Sequence, residues 1–341
     1  MKRRLLMVGA GGFAASWIRD FVPAFLSDRV EVAALVDQDE SALDASGDFL
    51  GLPPDQRFTH ASDAFREIEA DFCAIVVPPA AHRHIVMLAV EHGIHILSEK
   101  PIADTLDATR DICRAVTDSG LKMAVTQNYR FTPRMLTFRR AMRDRGLGSL
   151  NYLVARFAAD YRKYGSWGAA FRHEIPDALL IEGAVHHFDM IRNLTGGDCE
   201  TIAGLGWNPS WSSFKGNSSG VYVMDMSNGS KACYEGNCSE AGASNSWHQE
   251  LYRAECARGA VVLDADDVVR VIRDGESIES VPLVSADSHG HQTIIRDFLN
   301  WLDGGPEPET CLRDNIKSMA MIFAAIDASR EREVKRVADY V

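Results

Sequence analysis

Gly9-Ala10-Gly11-Gly12-Phe13-Ala14 follows a short apolar run and leads into residues with helical spacing. A string of the form G-x-G-x-x-A set between a strand and a helix is chemistry for a dinucleotide. Gly9 permits the tight turn, and Gly11 lets backbone N–H groups approach a pyrophosphate. Gly12 and Phe13 open the helix, and Ala14 keeps helix and strand close. A helix N-terminus adds partial positive charge for the phosphates. The bland alternative is a strand-to-helix turn with no ligand. Asp37 closes the next apolar run, 26 residues beyond Gly11. That is longer than the usual spacing of about 20, and the loop around Pro23 and Ser27 absorbs the excess. A carboxylate there accepts hydrogen bonds from ribose hydroxyls and repels a 2′-phosphate. Gln38, Asp39 and Glu40 bring no cation to hold such a phosphate, so NAD is favoured over NADP. Asp37 as the cap of the following helix is the structural alternative and is compatible with ribose binding.

Two further sets of residues have the types needed for proton and charge transfer. Lys100, in Glu99-Lys100-Pro101, follows the apolar run Ile94 to Leu97. Ligands of open parallel sheets bind beyond the carboxyl ends of the strands, which puts Lys100 near the nicotinamide end of a cofactor. Its ordinary reading is an exposed loop lysine. Glu182, His186 and Asp189 sit at i, i+4 and i+7 in the stretch Leu179 to Leu194, on one face of a helix. Apolar residues cover the remainder, and a helix apolar nearly all round is buried. Its polar stripe must face a cleft, another polar group or water, since unpartnered ionisable groups there are costly. A histidine flanked by carboxylates suits a general base, because they fix its tautomer and stabilise the imidazolium. A satisfied structural histidine is the alternative. Adjacent His186 and His187 point about 100° apart on a helix, which disfavours one shared metal ion. No metal is expected.

The elements that must position these groups read as two domains. Apolar runs at 4–8, 30–36, 71–77, 94–97 and 122–126 alternate with helical patterns around 40–50, 82–92 and 106–119. That rhythm predicts βαβ units and a parallel sheet buried on both faces. The helix from Phe13 ends or kinks at Pro23. Beyond residue 125 the pattern changes: a helix opens at Thr132-Pro133 and runs toward Gly146, and Leu153 to Ala159 alternates as a half-buried strand. Ser227-Asn228-Gly229-Ser230 signals a hairpin. Strands are expected at 247–256, 260–264, 267–273 and 279–284, and helices at 288–303 and 312–331. The fold class is α/β: a Rossmann dinucleotide-binding domain over 1–125, then an α+β domain over 126–341 with a largely antiparallel, open-faced sheet.

Composition bounds the class. Hydrophobic residues make up 46% and charged residues 25% of 341 residues, an ordinary globular mix. A net charge of -12 argues against nucleic acid. Arg139, Arg140, Arg143 and Arg145 scatter around an exposed helix side. The opening Met1-Lys2-Arg3-Arg4 is not followed by a signal-peptide core, and no run of about 18 apolar residues exists to cross a membrane. Seven scattered cysteines with no C-x-x-C suggest free thiols in a reducing cytoplasm.

Taken together these segments resemble the glucose–fructose oxidoreductase, inositol dehydrogenase and rhizopine-catabolism (Gfo/Idh/MocA) family, over nearly the whole chain and most strongly in the first 200 residues. Val76-Val77-Pro78-Pro79-Ala80-Ala81-His82 and Gly93-Ile94-His95-Ile96-Leu97-Ser98-Glu99-Lys100-Pro101 are similar to its T-P-x-x-x-H…G-K-H-V-x-x-E-K-P segment. Gln127-Asn128-Tyr129-Arg130-Phe131-Thr132-Pro133 is similar to the opening of its second domain. Glu182 to Asp189 resembles its D-x-G-x-H-x-x-D helix, with Glu for the first Asp and the glycine, Gly183, one position early. The resemblance implies that Pro78, Pro79, His82, Glu99 and Lys100 belong to the cofactor site. It implies that Lys100 and His186 are the catalytic pair, with Glu182 in the place of the aspartate and Asp189 supporting the helix. Asn128, Tyr129, Arg130 and Trp167 are candidate substrate contacts. Hydride transfer between NAD(P) and a hydroxyl or carbonyl of a sugar, inositol or related polyol is the expected activity. The rivals are a lyase or glycosidase using transient oxidation by NAD, and a non-catalytic NAD sensor. A homodimer or homotetramer is expected, because identical subunits bury an apolar sheet face economically.

Overall fold

The computed structural model describes residues 2–26, 28–242, 247 and 249–341. Ser27 and part of the expected strand at 247–256 lie outside the described residues. The chain divides into two compact units: Met1–Gln127 with Gly290–Ile316, and Asn128–His289 with Lys317–Val341.

In the first unit six strands form a wholly parallel sheet: β1 (Arg3–Val8), β2 (Val30–Val36), β3 (Arg57–Phe58), β4 (Phe72–Ile75), β5 (His95–Ser98) and β6 (Met123–Val125). Their order is β3-β2-β1-β4-β5-β6, the doubly wound arrangement whose strand order reverses between β1 and β4. The strands are short and apolar because both faces are covered. Leu5, Leu6, Ala34, Leu35, Ile75 and Ile96 are all buried. The helix expected from Phe13 is interrupted. An α-turn, α1 (Phe13–Ser16), runs into a π-turn (Trp17–Phe21) and then α2 (Pro23–Leu26). Val22 N–H reaches back five residues to the Trp17 carbonyl at 2.9 Å. The wider turn accommodates Pro23, whose ring would clash with a carbonyl four residues back. Regular helices follow: α3 (Glu40–Leu50), α4 (Ala61–Glu67), α5 (Pro79–Glu91) and α6 (Leu106–Ser119). The helix Gly290–Leu302 belongs to this unit, and Val125 N–H donates to the Thr310 carbonyl at 2.9 Å. The sequence pattern does not signal that return.

The second unit carries α7 (Pro133–Asp144), α8 (Val185–Thr195) and a nine-stranded sheet. Its strands are β7 (Leu150–Ala158), β8 (Cys199–Trp207), β9 (Ser219–Met226), β10 (Lys231–Asn237), β11 (Leu251–Cys256), β12 (Gly259–Leu263), β13 (Val269–Ile272), β14 (Glu279–Val281) and β15 (Lys335–Arg336). The order is β14-β13-β12-β11-β7-β10-β9-β8-β15. Every pairing is antiparallel except β7 with β10. The expected hairpin is present, with Asp225 opposite Lys231 across Ser227–Ser230. One sheet face packs on α8 through Leu153, Ala155, Phe157, Tyr222 and Tyr234, all buried. On the other face Leu205, Trp207, Val221 and Val223 are exposed.

Candidate active site

In the first unit the glycine turn follows β1 directly. Gly9 has φ +110°, and a Cβ there would stand 2.2 Å from the Val76 carbonyl oxygen. Only glycine meets both demands. Gly12 has φ +52° and open space where a side chain would be. Ala14 is buried, within 3.1 Å of a Cβ built at Gly9, so strand and helix are in close contact. Half-buried Asp37 accepts from Ala10 N–H (2.7 Å) and Gly11 N–H (3.2 Å) through Oδ2, and from Asp39 N–H (3.0 Å) through Oδ1. The helix cap is Asp39, which accepts from Ser41 and Ala42 N–H. The cap alternative for Asp37 is thereby overturned: the next carboxylate along has the extended backbone that capping needs. Amides at a glycine turn, open space beside Gly12 and a carboxylate ending β2 fit the pyrophosphate and ribose of a dinucleotide. Phe13 is half exposed, its ring edge-on to His291 at 5.4 Å.

The segments after β4 and β5 are tied together from inside the unit. Pro78 is exposed and Pro79 is buried at the first turn of α5. His82 is fully buried, with Nδ1 2.9 Å from the Pro101 carbonyl and Nε2 3.0 Å from that of Val77. Burial holds its imidazole below the usual range. Glu99 is buried; its Oε1 accepts from Trp17 Nε1 and His291 Nε2, both at 2.9 Å, and its Oε2 from Lys100 N–H at 3.2 Å. Burial pushes this carboxyl up, but His291 and Lys100 outweigh it and leave it below its ordinary value. Both side chains therefore brace the loop bearing Lys100, which is itself half-buried. Trp17 and His291 escaped sequence reasoning: they lie 82 and 192 residues from Glu99, and no local pattern marks them.

In the second unit the polar stripe is answered by other polar groups. Leu179–Ala184, expected to be α-helical, is a π-turn leading into α8, so Glu182 and His186 are not one regular α-turn apart. Glu182 is buried and accepts from Arg172 Nε at 2.8 Å. Arg172 also donates to the Trp167 carbonyl (2.8 Å) and lies over the Trp167 ring, 5.6 Å from its centroid. Asp189 is fully buried. It takes Nε and a terminal nitrogen of Arg130 at 2.6 and 2.5 Å, and the Ser318 hydroxyl at 2.8 Å. Arg130 is thus a buried ion-pair partner within this unit. Asn128 is half-buried at the start of the turn that carries Tyr129 and Arg130.

The His186 imidazole stacks on the Tyr129 ring, centroids 4.6 Å apart and planes 13° apart. Trp247 meets it edge-on at 5.9 Å. Trp167 is buried, stacked on Tyr161 at 5.2 Å and 5.9 Å from Trp247. His187 points elsewhere, with Nδ1 2.9 Å from the Tyr234 hydroxyl and Nε2 3.5 Å from Glu250. Buried Glu250 also accepts from Tyr129 (2.8 Å) and Arg134 (2.6 Å). Burial opposes its ionisation, yet His187 and Arg134 hold its carboxyl far below the ordinary range. Burial and Glu250 keep the Tyr129 phenol protonated, its pKa well above the usual value. Arg134, Arg172, Trp247 and Glu250 were not anticipated. Arg134 and Glu250 meet across 116 residues, and no local pattern pairs them. Among the described residues no cluster of His, Cys, Asp and Glu could hold a metal ion. The arrangement offers an imidazole among aromatic faces, with neighbouring carboxylates already matched by arginines, and an imidazole is a group able to take or give a proton near neutral pH.

Known proteins resemble this chain in sequence and in fold. The family model described as "Oxidoreductase family, NAD-binding Rossmann fold" matches residues 3–127. The chain is 39% identical over 352 residues to the uncharacterized protein y4oX of Sinorhizobium fredii, covering 100% of this chain and 97% of that protein. It is 25% identical to a D-apiose dehydrogenase of Paraburkholderia graminis, over 95% of this chain and 87% of that one. The fold is also that of an Agrobacterium radiobacter oxidoreductase solved with NAD+, L-tartaric acid and magnesium, with TM-score 0.87, 19% identity and full coverage of both chains.

Proposed function

The chain belongs to the Gfo/Idh/MocA family of NAD-binding oxidoreductases, and on that premise we propose that it oxidises a hydroxyl of a sugar, inositol or related polyol with NAD, or reduces the corresponding carbonyl. The observation that carries the reading is the glycine turn, where amides of Ala10 and Gly11 converge on the Asp37 carboxylate at the end of β2. That carboxylate favours NAD over NADP, because a 2′-phosphate beside it is repelled. Relatives named D-apiose dehydrogenase and inositol 2-dehydrogenase support a polyhydroxylated substrate.

The bound nicotinamide supplies the hydride acceptor. The Lys100 ammonium stabilises negative charge developing on the reacting oxygen, and His186 takes the hydroxyl proton. Glu99 and His82 brace the Lys100 loop. Arg130 positions α8 through Asp189. Asn128, Tyr129, Trp167 and Glu182 are the groups assigned to substrate, with Arg172 fixing the Glu182 carboxylate. Lys100→Met and His186→Ala should each lower turnover by about 10²–10⁴-fold, while calorimetry still shows NAD binding. Undiminished turnover in either variant removes that residue from the mechanism.

The exposed sheet face supports self-association. Leu205, Val221, Val223 and Val334 line an open groove on one side of the second unit, and Trp207 stands exposed on the same sheet. We assign this face to a second copy of the chain in a homodimer or homotetramer. Among the described residues no helix is long and apolar enough to cross a membrane. All seven cysteines are unbonded, which supports a reducing cytoplasm as the site of action.

A further inference from the structure

Glu250 lies outside every motif that points to the reaction, yet it sits at the centre of a deeply buried polar cluster of the second unit. Its side chain is 1% exposed. Two donors converge on it, the Tyr129 hydroxyl at 2.8 Å and a terminal nitrogen of Arg134 at 2.6 Å, and His187 Nε2 lies 3.5 Å away. An ion pair of this kind is costly to bury and contributes little net stability against apolar replacements. Its effect here is directional. Tyr129 is the aromatic ring that lies flat on His186, 4.6 Å centroid to centroid at 13°. A phenol held only by packing can slide or tilt. One whose hydroxyl is fixed on a buried carboxylate has its plane set at both ends.

We propose that Glu250 is a positioning residue for His186: through the Tyr129 hydroxyl it locks the phenol ring face-on against the imidazole and so fixes the plane in which that imidazole exchanges its proton. This rests on the reading of His186 as the proton-transfer group. The second effect is electrostatic. A phenol donating to a carboxylate carries a more negative π-face, and that face favours the imidazolium over the neutral ring. Other charged or titratable groups on the elements around α8 are already matched. Glu182 is held by Arg172, Asp189 by Arg130 and Ser318, and His187 by Tyr234 and Glu250. Tyr252 is buried behind Glu250, which pushes its phenol further up after burial itself. Among the described residues Tyr129 is stacked on the His186 ring and Trp247 meets it edge-on.

The test follows the His186 ring by NMR in the full-length protein, with histidine labelled and the resonance assigned by its loss in His186→Gln. No substrate is needed. Tyr129→Leu removes the ring, Tyr129→Phe keeps the ring and cuts its tie, and Glu250→Gln removes the charge. In the parent protein the imidazole protons stand in the Tyr129 ring current. Tyr129→Leu should abolish that displacement and lower the titration midpoint of His186 by about one pH unit. Tyr129→Phe and Glu250→Gln should move both readouts in the same direction. A Tyr129→Phe protein that folds and leaves displacement and midpoint at parental values overturns the proposal, because the ring is then held without Glu250. Tyr129→Phe is the mildest change and keeps the test decisive should Glu250→Gln fail to fold. If the shifts appear but His186→Ala retains turnover, the positioning stands and the catalytic reading of His186 falls.

Discussion

At Gly9 two constraints coincide, a φ of +110° and a backbone oxygen 2.2 Å from where a methyl group would go. Gly9→Ala should therefore cost about 1–3 kcal/mol from the backbone conformation alone and should abolish measurable NAD binding, read by thermal melting and calorimetry. An alanine variant with parental NAD affinity would remove the turn from the cofactor site. Asp37 does two things: it collects the Ala10 and Gly11 amides and presents a negative charge at the end of β2. Asp37→Ser should improve the KM for NADP relative to NAD by about tenfold or more, since an unfavourable charge pair is removed. An unchanged ratio would mean that the 2′-position lies elsewhere. The glycine turn and Asp37 were legible in the sequence because strand, turn and helix are adjacent along the chain. The fates of Glu182, Asp189 and Arg130 were not. Which arginine answers which carboxylate is decided by tertiary approach, and a helical spacing says only that some partner is needed.

Among the elements, the alternating strands and helices of residues 3–125 were readable because each is local and apolar. Helices α3 and α6 have the bounds that the pattern suggests. The stretch at 179–194 read as one α-helix and is a π-turn followed by α8; its composition carries no proline to announce the change. The short strands β3 and β15 escaped because two residues carry no periodicity. The Arg134–Glu250 pair ties α7 to the residue just before β11, both groups buried. Removing one partner leaves a buried charge, so Arg134→Met should destabilise by about 3–5 kcal/mol in denaturant unfolding. Glu250 has a depressed carboxyl in the fold. Its stabilisation is present above the unfolded value of about 4.3 and is lost as pH falls through the lower folded value. Melting temperature should accordingly drop on acidification below that range, with a shallower slope in Glu250→Gln. Parallel slopes in the two proteins would show that this carboxylate is not linked to folding.

Over the whole molecule the chain passes between its two units three times, after Gln127, His289 and Ile316. Sequence reasoning sees the first passage as a change of rhythm. It cannot see the later ones, because the helix Gly290–Leu302 is amphipathic like any surface helix and its destination is a matter of packing. The exposed apolar face of the nine-stranded sheet belongs to this scale too. Val223→Lys together with Val221→Lys should convert the proposed homo-oligomer to a monomer in sedimentation, since burying two unpaired ammonium groups is unfavourable; an unaltered mass would remove this face from the proposed contact. Net hydride transfer to a dinucleotide is the activity proposed for the whole molecule. The direct measurement is to incubate the purified protein with NAD and a panel of aldoses, inositols and sugar acids, and to follow NADH absorbance in free solution. NADH should accumulate with at least one polyol, and Lys100→Met and His186→Ala should suppress it. A substrate consumed by cleavage or elimination with no NADH appearing, or NAD bound with every compound untouched, would contradict it.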